Sequence, residues 1–277
     1  MRGAFRRGVP GISLNAAMLM LALLSLIPFG VALSWSFKPL AEIFRLPVSP
    51  FPQSFSLQNY VTIFEKQHFD VFFRNSMVAA VGYTSLGILW CSMGGWALSQ
   101  YKSRLHAPLL ALLFLVIALP FQVMIVPAFE LIVRFGLANS LWALIIPFSA
   151  SAYGILFMRQ YMLSLPIEVF ESARIDGASE FRVWRSLALP MSLPGLAALG
   201  IFLFLDSWND FLWPLIVLTS RSNLTYPIGL NLLVGLFHAE YGQMMAASVL
   251  ALIPVALILI FLQRQFVAGI TAGAVRR

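Results

Sequence analysis

Cysteine is almost absent: Cys91 is the only one in 277 residues, and it sits inside an apolar run. No intrachain disulfide, thiolate zinc site or redox pair can therefore form. Charge is scarce too. Asp, Glu, Lys and Arg make up 10% of the chain against 60% hydrophobic residues, with a mean hydropathy of +0.86. A soluble domain carries about a quarter charged residues, so this balance requires a bilayer as solvent for much of the surface. Also missing are a Gly-x-x-x-x-Gly-Lys-Ser/Thr phosphate loop, a nucleophile elbow and a His-Glu-x-x-His pair. Their absence removes those routes to nucleotide binding, acyl transfer and zinc hydrolysis. The three histidines, His68, His106 and His238, are far apart and fall in predicted loops. No catalytic residue and no metal site is assigned, and the chain is not expected to be an enzyme.

What is present is a series of long apolar runs. A hydrocarbon core of about 30 Å needs about 20 helical residues, and such runs occur at roughly 14–36, 74–98, 107–133, 139–163, 192–218 and 243–263. The expectation is an all-α, polytopic bundle of six transmembrane helices forming a single domain over residues 1–277. The first run follows a basic leader and shows no small-residue cleavage pattern, so it reads as a retained helix. Pro120, Pro127, Pro147, Pro194 and Pro214 lie within the runs. Neighbouring helices can take up the carbonyls they free, and simple kinks are expected.

Six spans place both termini on one side. If that side is the cytoplasm, it holds Arg2, Arg6, Arg7, Lys102, Arg104, Arg159, Arg174, Arg182, Arg185, Arg264, Arg276 and Arg277, which is 12 of the 18 basic residues. Lys38, Arg45, Lys66, Arg74, Arg134 and Arg221 remain outside. This two-to-one bias follows the positive-inside rule and explains the net charge of +7 without a nucleic-acid partner. Two longer external segments result, about 38–72 and about 219–242. Glu130 and Arg134, at helix-pair spacing, are expected to form a structural ion pair.

The segment from Ser164 to Pro190 carries Glu168, Glu171, Arg174, Asp176, Glu180, Arg182 and Arg185. Seven charges at mid-bilayer would cost on the order of 20 kcal/mol, so the segment belongs in water or against a protein. Ser164 with Pro166 suits a helix start, Gly177 a left-handed stop, and Ser179 a second N-cap. Phe170 with Ala173, and Phe181 with Trp184, are spaced to share a helix face. The expected product is a bent, amphipathic helix pair with exposed aromatic surface. An interfacial loop whose aromatics rest among lipid headgroups is the plain alternative.

The string Glu171-Ser-Ala-Arg-Ile-Asp-Gly-Ala-Ser179, followed by Leu187-Ala-Leu-Pro190, resembles the EAA motif of permease subunits of binding-protein-dependent ABC importers. Glu171, Ala173, Asp176, Gly177, Ala178 and Pro190 match it, and Ser172 replaces an alanine. Ser207-Trp-Asn-Asp-Phe-Leu-Trp-Pro-Leu215 and the end from Gln263 to Val275 are similar to the MalG-like carbohydrate branch. The resemblance implies the type I ABC importer permease fold. It also implies that loop 164–190 docks on the ATPase through Glu171, Ser172, Ala173, Asp176, Gly177, Ala178, Phe181 and Pro190. The implied partners are two ATPase subunits, a second permease forming a heterodimer and an extracytoplasmic solute-binding protein. This chain would bind no cofactor, the ATP and Mg being used by the ATPase. The place is a bacterial or archaeal inner membrane. Gly273, Ala274 and Val275 would reach the ATPase, with a plain basic tail as the alternative.

Asp206 and Asp210 lie four residues apart on the fifth run, with Asn209 adjacent. Carboxylates at that depth should face the bundle interior or a water-filled path. Asp206, Asn209 and Asp210 are expected to border a translocation route, with Trp208 or Trp213 able to stack on a sugar. Hydrogen bonding to neighbouring helices is the alternative. The expected function is import of a sugar or related polyol or oligosaccharide. A proton-coupled secondary transporter is the rival, although no related halves are visible.

Overall fold

The computed structural model describes residues 11–47, 49–101, 103–235 and 240–274, with side chains described between 14 and 262. Arg2, Arg6, Arg7, Lys102, His238, Val275, Arg276 and Arg277 lie outside the described residues. The elements are α1 (Gly11–Ser36), α2 (Gln58–Glu65), α3 (Phe69–Gln100), α4 (His106–Ala118), α5 (Phe121–Arg134), α6 (Trp142–Ile145), α7 (Ala152–Met162), α8 (Ile167–Ile175), α9 (Glu180–Val183), α10 (Leu193–Asn209), α11 (Leu212–Val217), α12 (Tyr226–Leu232) and α13 (Tyr241–Ala274), with a few shorter turns between them. The chain divides into two compact units, one of residues up to Gln67 with Leu232–Leu252, the other of His68–Asn231 with the residues from Ile253.

Only three of the six expected spans are unbroken helices long and apolar enough to cross a membrane: Leu14–Ser36, Phe69–Gln100 and Tyr241–Leu262. The number reaches five if each sharply bent helix pair counts as one span, so length and composition do not give six among the described residues. The expected third span, 107–133, is cut at Leu119, where α4 and α5 meet at 102°. Leu119 is extended before Pro120, because a proline ring disfavours helical backbone in the residue preceding it. The expected fourth span, 139–163, is interrupted between α6 and α7 around Pro147, and Ser151 restarts the helix by accepting a hydrogen bond from the Gly154 amide at 3.3 Å. The expected fifth span ends as regular helix at Asn209 and resumes at Leu212. The five prolines thus act differently: Pro194 sits in the first turn of α10, and Pro127 and Pro214 remain within helices.

In the larger unit, α3 packs along α7 and α10. Lipid tails are as apolar as leucine, so the helices gain little by hiding apolar surface from each other and depend on close packing. Glycine provides it. A β-carbon on Gly154 would lie 2.6 Å from Cys91 Sγ, and one on Gly95 would lie 2.6 Å from Met158 Cβ and 2.8 Å from the Arg159 amide nitrogen. The core so formed contains Cys91, Trp96, Met158, Phe170, Trp184 and Leu199, all buried.

A polar network fixes one end of this unit. Asn139 holds a left-handed conformation (φ 58°), tolerated by Asn better than by most residues, and its side-chain oxygen accepts the Thr219 and Ser220 amides at 3.0 and 2.9 Å. Buried Asn75 donates to the carbonyls of Ser222 and Leu224 at 2.8 and 3.0 Å.

In the smaller unit, the connection after α1 is folded on polar pins. The Glu42 carboxylate accepts the Gln53 amide at 2.7 Å, and Asn59 donates to the carbonyls of Ser36 and Lys38, both at 2.9 Å. Buried Lys38 donates to the Ser49 carbonyl and lies over the Trp35 ring. Leu46, Phe51 and Phe55 remain exposed.

Candidate functional site

Pro166 starts α8, and Gly177 follows its end at φ 81°. A left-handed residue after a helix is cheap for glycine because no β-carbon meets the preceding carbonyl. The Ser179 hydroxyl accepts the Arg182 amide at 3.4 Å and starts α9. Both helices expected in 164–190 therefore form, with the stop and cap where the sequence puts them. The continuation is a π-helical turn, Trp184–Ala188, a distortion found frequently at functional sites.

The aromatic face is a correction. Phe181 is exposed, but Trp184 is buried and belongs to the bundle core together with Phe170, whose ring meets Trp96 edge-on at 4.9 Å. The outward face carries instead Ile175, 86% exposed, and Phe181, 59% exposed. Glu171, Ser172, Asp176, Gly177 and Pro190 are exposed beside them, while Ala173 and Ala178 are half-buried against the core.

Arg174 and Glu180 tie the two sides of the turn. Arg174 Nε donates to Glu180 Oε1 at 2.7 Å, and one terminal nitrogen donates to Oε2 at 3.3 Å and to Gln100 Oε1 at 3.1 Å. The guanidinium also lies 6.0 Å over the Trp96 ring. The Arg174 hydrogen bond holds the Glu180 carboxyl below the usual range, and the same bond raises Arg174. Burial, then a hydrogen bond to Glu180, raises the Tyr101 hydroxyl. Because the folded value of Glu180 is depressed, its contribution is present above the ordinary value of 4.5 and is lost as pH falls through the lowered one. Acidification below 4.5 should therefore speed amide hydrogen exchange in 177–183, after correction for intrinsic rates. Glu180→Gln should abolish that extra pH dependence.

At the opposite end of α10 the helix stops at Asp210, whose Oδ1 accepts the Trp213 amide at 3.3 Å and so starts α11. Asp206 Oδ2 accepts from the Tyr83 hydroxyl at 3.1 Å, an oxygen equally 3.1 Å from the Phe148 carbonyl. A cavity of about 490 Å³ opens here, with Tyr83, Phe148, Ser151, Asp206, Asp210 and Trp213 in its wall. A more open one of about 630 Å³ is lined by Asp206, Asn209 and Asp210 with four apolar neighbours. The three polar residues expected along a path thus face open volume together. The tryptophans are held. Trp208 is buried and stacks on Phe204 and Tyr226, both at 5.9 Å, and Trp213 is buried with its Nε1 donating to the Ala143 carbonyl at 2.9 Å. Neither presents a free face for a sugar, although Trp213 borders the smaller cavity.

Sequence reasoning missed Tyr83, Gln100 and Tyr101, whose partners lie far along the chain. Glu130 and Arg134 come within 3.8 Å on a largely exposed surface, where such a pair contributes about 1 kcal/mol at most. Of the C-terminal contact, Gly273 and Ala274 lie at the end of α13, and their side chains are not described. Among the described residues, no group of three or more His, Cys, Asp or Glu could hold a metal ion.

The chain is similar to known proteins in sequence and in fold. Residues 71–272 match the family of binding-protein-dependent transport system inner membrane components. The arabinooligosaccharides transport system permease protein AraQ of Bacillus subtilis (strain 168) is 36% identical, over 96% of this chain and 95% of that protein. The sn-glycerol-3-phosphate transport system permease protein UgpE of Salmonella typhi is 32% identical, over 96% and 97%. A chain of a bacterial ABC transporter involved in importing the acidic polysaccharide alginate superposes with a TM-score of 0.82 at 21% identity, covering 96% of this chain and all of that one. A second alginate transporter structure, in complex with a pentasaccharide-bound periplasmic protein, gives 0.65 at 14% identity over 90% and 92%. The helical fold is that of an ABC importer membrane subunit, and the chain belongs to the family of binding-protein-dependent transport system inner membrane components.

Proposed function

We propose that this chain forms half of the membrane path of a carbohydrate importer and that segment 164–190 is gripped by a cytoplasmic ATPase pair, which binds the ATP and Mg. The observation that carries the reading is the two-sidedness of that segment. Its inner face is locked into the bundle core by Phe170, Val183, Trp184 and Ala188, while Ile175 and Phe181 stand in the open among charged residues. Apolar side chains on a rigid, polar-rimmed projection suit docking into a cleft. Its rigid attachment suits the passage of movement into the helices.

The rest of the arrangement follows from this one. The ATPase side is the cytoplasm, and the excess of basic residues there in a six-span topology supports both termini on the same side. A second, different permease closes the path, and an extracytoplasmic binding protein delivers the solute to segments 38–72 and 219–242. AraQ and UgpE are named for an oligosaccharide and a polyol phosphate, and the solute here is proposed to be a sugar or related polyol. Family membership speaks against the proton-coupled alternative. Purification from membranes should yield the chain with a second permease and two ATPase copies, and uptake should stop when ATP is depleted or the binding protein deleted. Uptake by the purified chain alone would sink the proposal.

Asp206, Asn209 and Asp210 border the path, with the buried tryptophans as its packed wall. Asp206→Ala is expected to cut uptake about tenfold, the loss of roughly one good charged hydrogen bond, while complex yield stays unchanged. If assembly fell and uptake per assembled complex did not, the carboxylate would be a packing group only.

A further inference from the structure

The strongest unassigned feature is the junction where the end of α3 meets the turn between α8 and α9. Three separate elements converge on one guanidinium there. Arg174 from α8 makes two hydrogen bonds to Glu180 of α9 and a third to Gln100, the last residue of α3, and its face lies over Trp96 one turn earlier. Planar, bidentate pairing fixes orientation as well as distance. Trp96 also meets Phe170 of α8, so an apolar contact and an ionic one flank the same joint.

We propose that Arg174 is a positioning residue that makes the 164–190 segment and α3 move as one body, so that displacement of the segment is delivered to the helix bearing Tyr83. This rests on the reading of the segment as the ATPase-coupling element. The apolar core holds the segment against the bundle, but apolar contact is non-directional, and Arg174 is what fixes the register of α8 and α9 on the end of α3. The guanidinium resists sliding because its bonds point in different directions, toward Glu180 and toward Gln100. Tyr83, on the same helix, donates to Asp206 at the cavity, so a rigid α3 joins the two sites.

The test uses the complete transporter, with this chain, its second permease and the ATPase pair, in a Cys91→Ser background. Spin labels are placed at Ala97 on α3 and Ser186 beyond α9, both exposed. The interlabel distance is measured without nucleotide and with ATP, Mg and vanadate. With Arg174 in place the distance should be the same in both states. Arg174→Ala should retain the ATPase yet show a nucleotide-dependent shift of roughly 5 Å, about one helical turn. The exchanged pair Arg174→Glu with Glu180→Arg should restore much of the invariance, because the Gln100 amide can donate as well as accept.

A nucleotide-dependent shift with Arg174 present, or an Arg174→Ala complex behaving like the parent, overturns the proposal. Loss of the ATPase on Arg174→Ala overturns it differently, making Arg174 a docking residue. If the ATPase fails to associate even with the unaltered chain, the coupling reading itself has failed.

Discussion

Gly95→Leu is expected to leave little folded protein in the membrane. A β-carbon at this position would sit 2.6 Å from Met158 Cβ, 2.8 Å from the Arg159 nitrogen and 2.9 Å from the Met158 carbonyl carbon. These are main-chain or first side-chain atoms that no rotamer change can move, so α3 and α7 must separate. Overpacking typically costs about 1–3 kcal/mol and more where backbone must shift, whereas replacing a helical glycine with alanine gains about 1 kcal/mol. For Gly95→Ala the two effects partly cancel and a modest loss results. For Leu the clash wins, since three further carbons must fit where the first already fails.

Gly200→Ala is the contrast. Its nearest new neighbour is the mobile tip of Ile88 at 3.3 Å, and stability should be unchanged or slightly raised. Melting in detergent, read by size-exclusion fluorescence, compares the three variants. Equal melting points for Gly95→Leu and the parent would show that α3 and α7 do not approach this closely.

Such contacts explain which parts of the molecule were legible in the sequence. Helix class and the helix pair of segment 164–190 could be read because their signals are local. Gly177 and Ser179 act on their own backbones, and hydropathy registers lipid-facing length whatever the tertiary structure. The breaks at Leu119 and around Pro147 were not legible, because window-averaged hydropathy is blind to backbone direction, and Pro127, in a similar setting, remains helical. Trp184 was misread for a geometric reason. Residues three apart on a helix differ by about 60° in direction, enough to put Phe181 in solvent and Trp184 in the core, and the π-helical turn begins at Trp184 itself.

The partnership of Tyr83 with Asp206 spans 123 residues, and that of Arg174 with Gln100 spans 74. Nothing in a single sequence pairs residues at that separation. Asp206 could be selected as costly in lipid, but its partner could not.

Ile175→Asp combined with Phe181→Asp is expected to remove the ATPase from the purified complex while leaving the permease folded. A buried apolar anchor at an interface contributes about 2 kcal/mol or more when truncated, so losing two and adding two buried charges should weaken association by well over 100-fold. The choice of residues decides what the experiment means. Ile175 is 86% exposed, and Phe181, whose ring rests on Trp184 at 5.4 Å, is 59% exposed, so neither is part of the core and melting of the isolated permease should change little. Trp184 and Phe170 belong to the same segment but lie in the core. Replacing either with alanine should open a cavity at a cost of about 3–5 kcal/mol, and a lost ATPase would then report unfolding rather than docking. Retention of the ATPase by the doubly charged variant would move the docking surface off this face. Loss of the ATPase with unchanged melting ties the docking to the exposed side chains of Ile175 and Phe181.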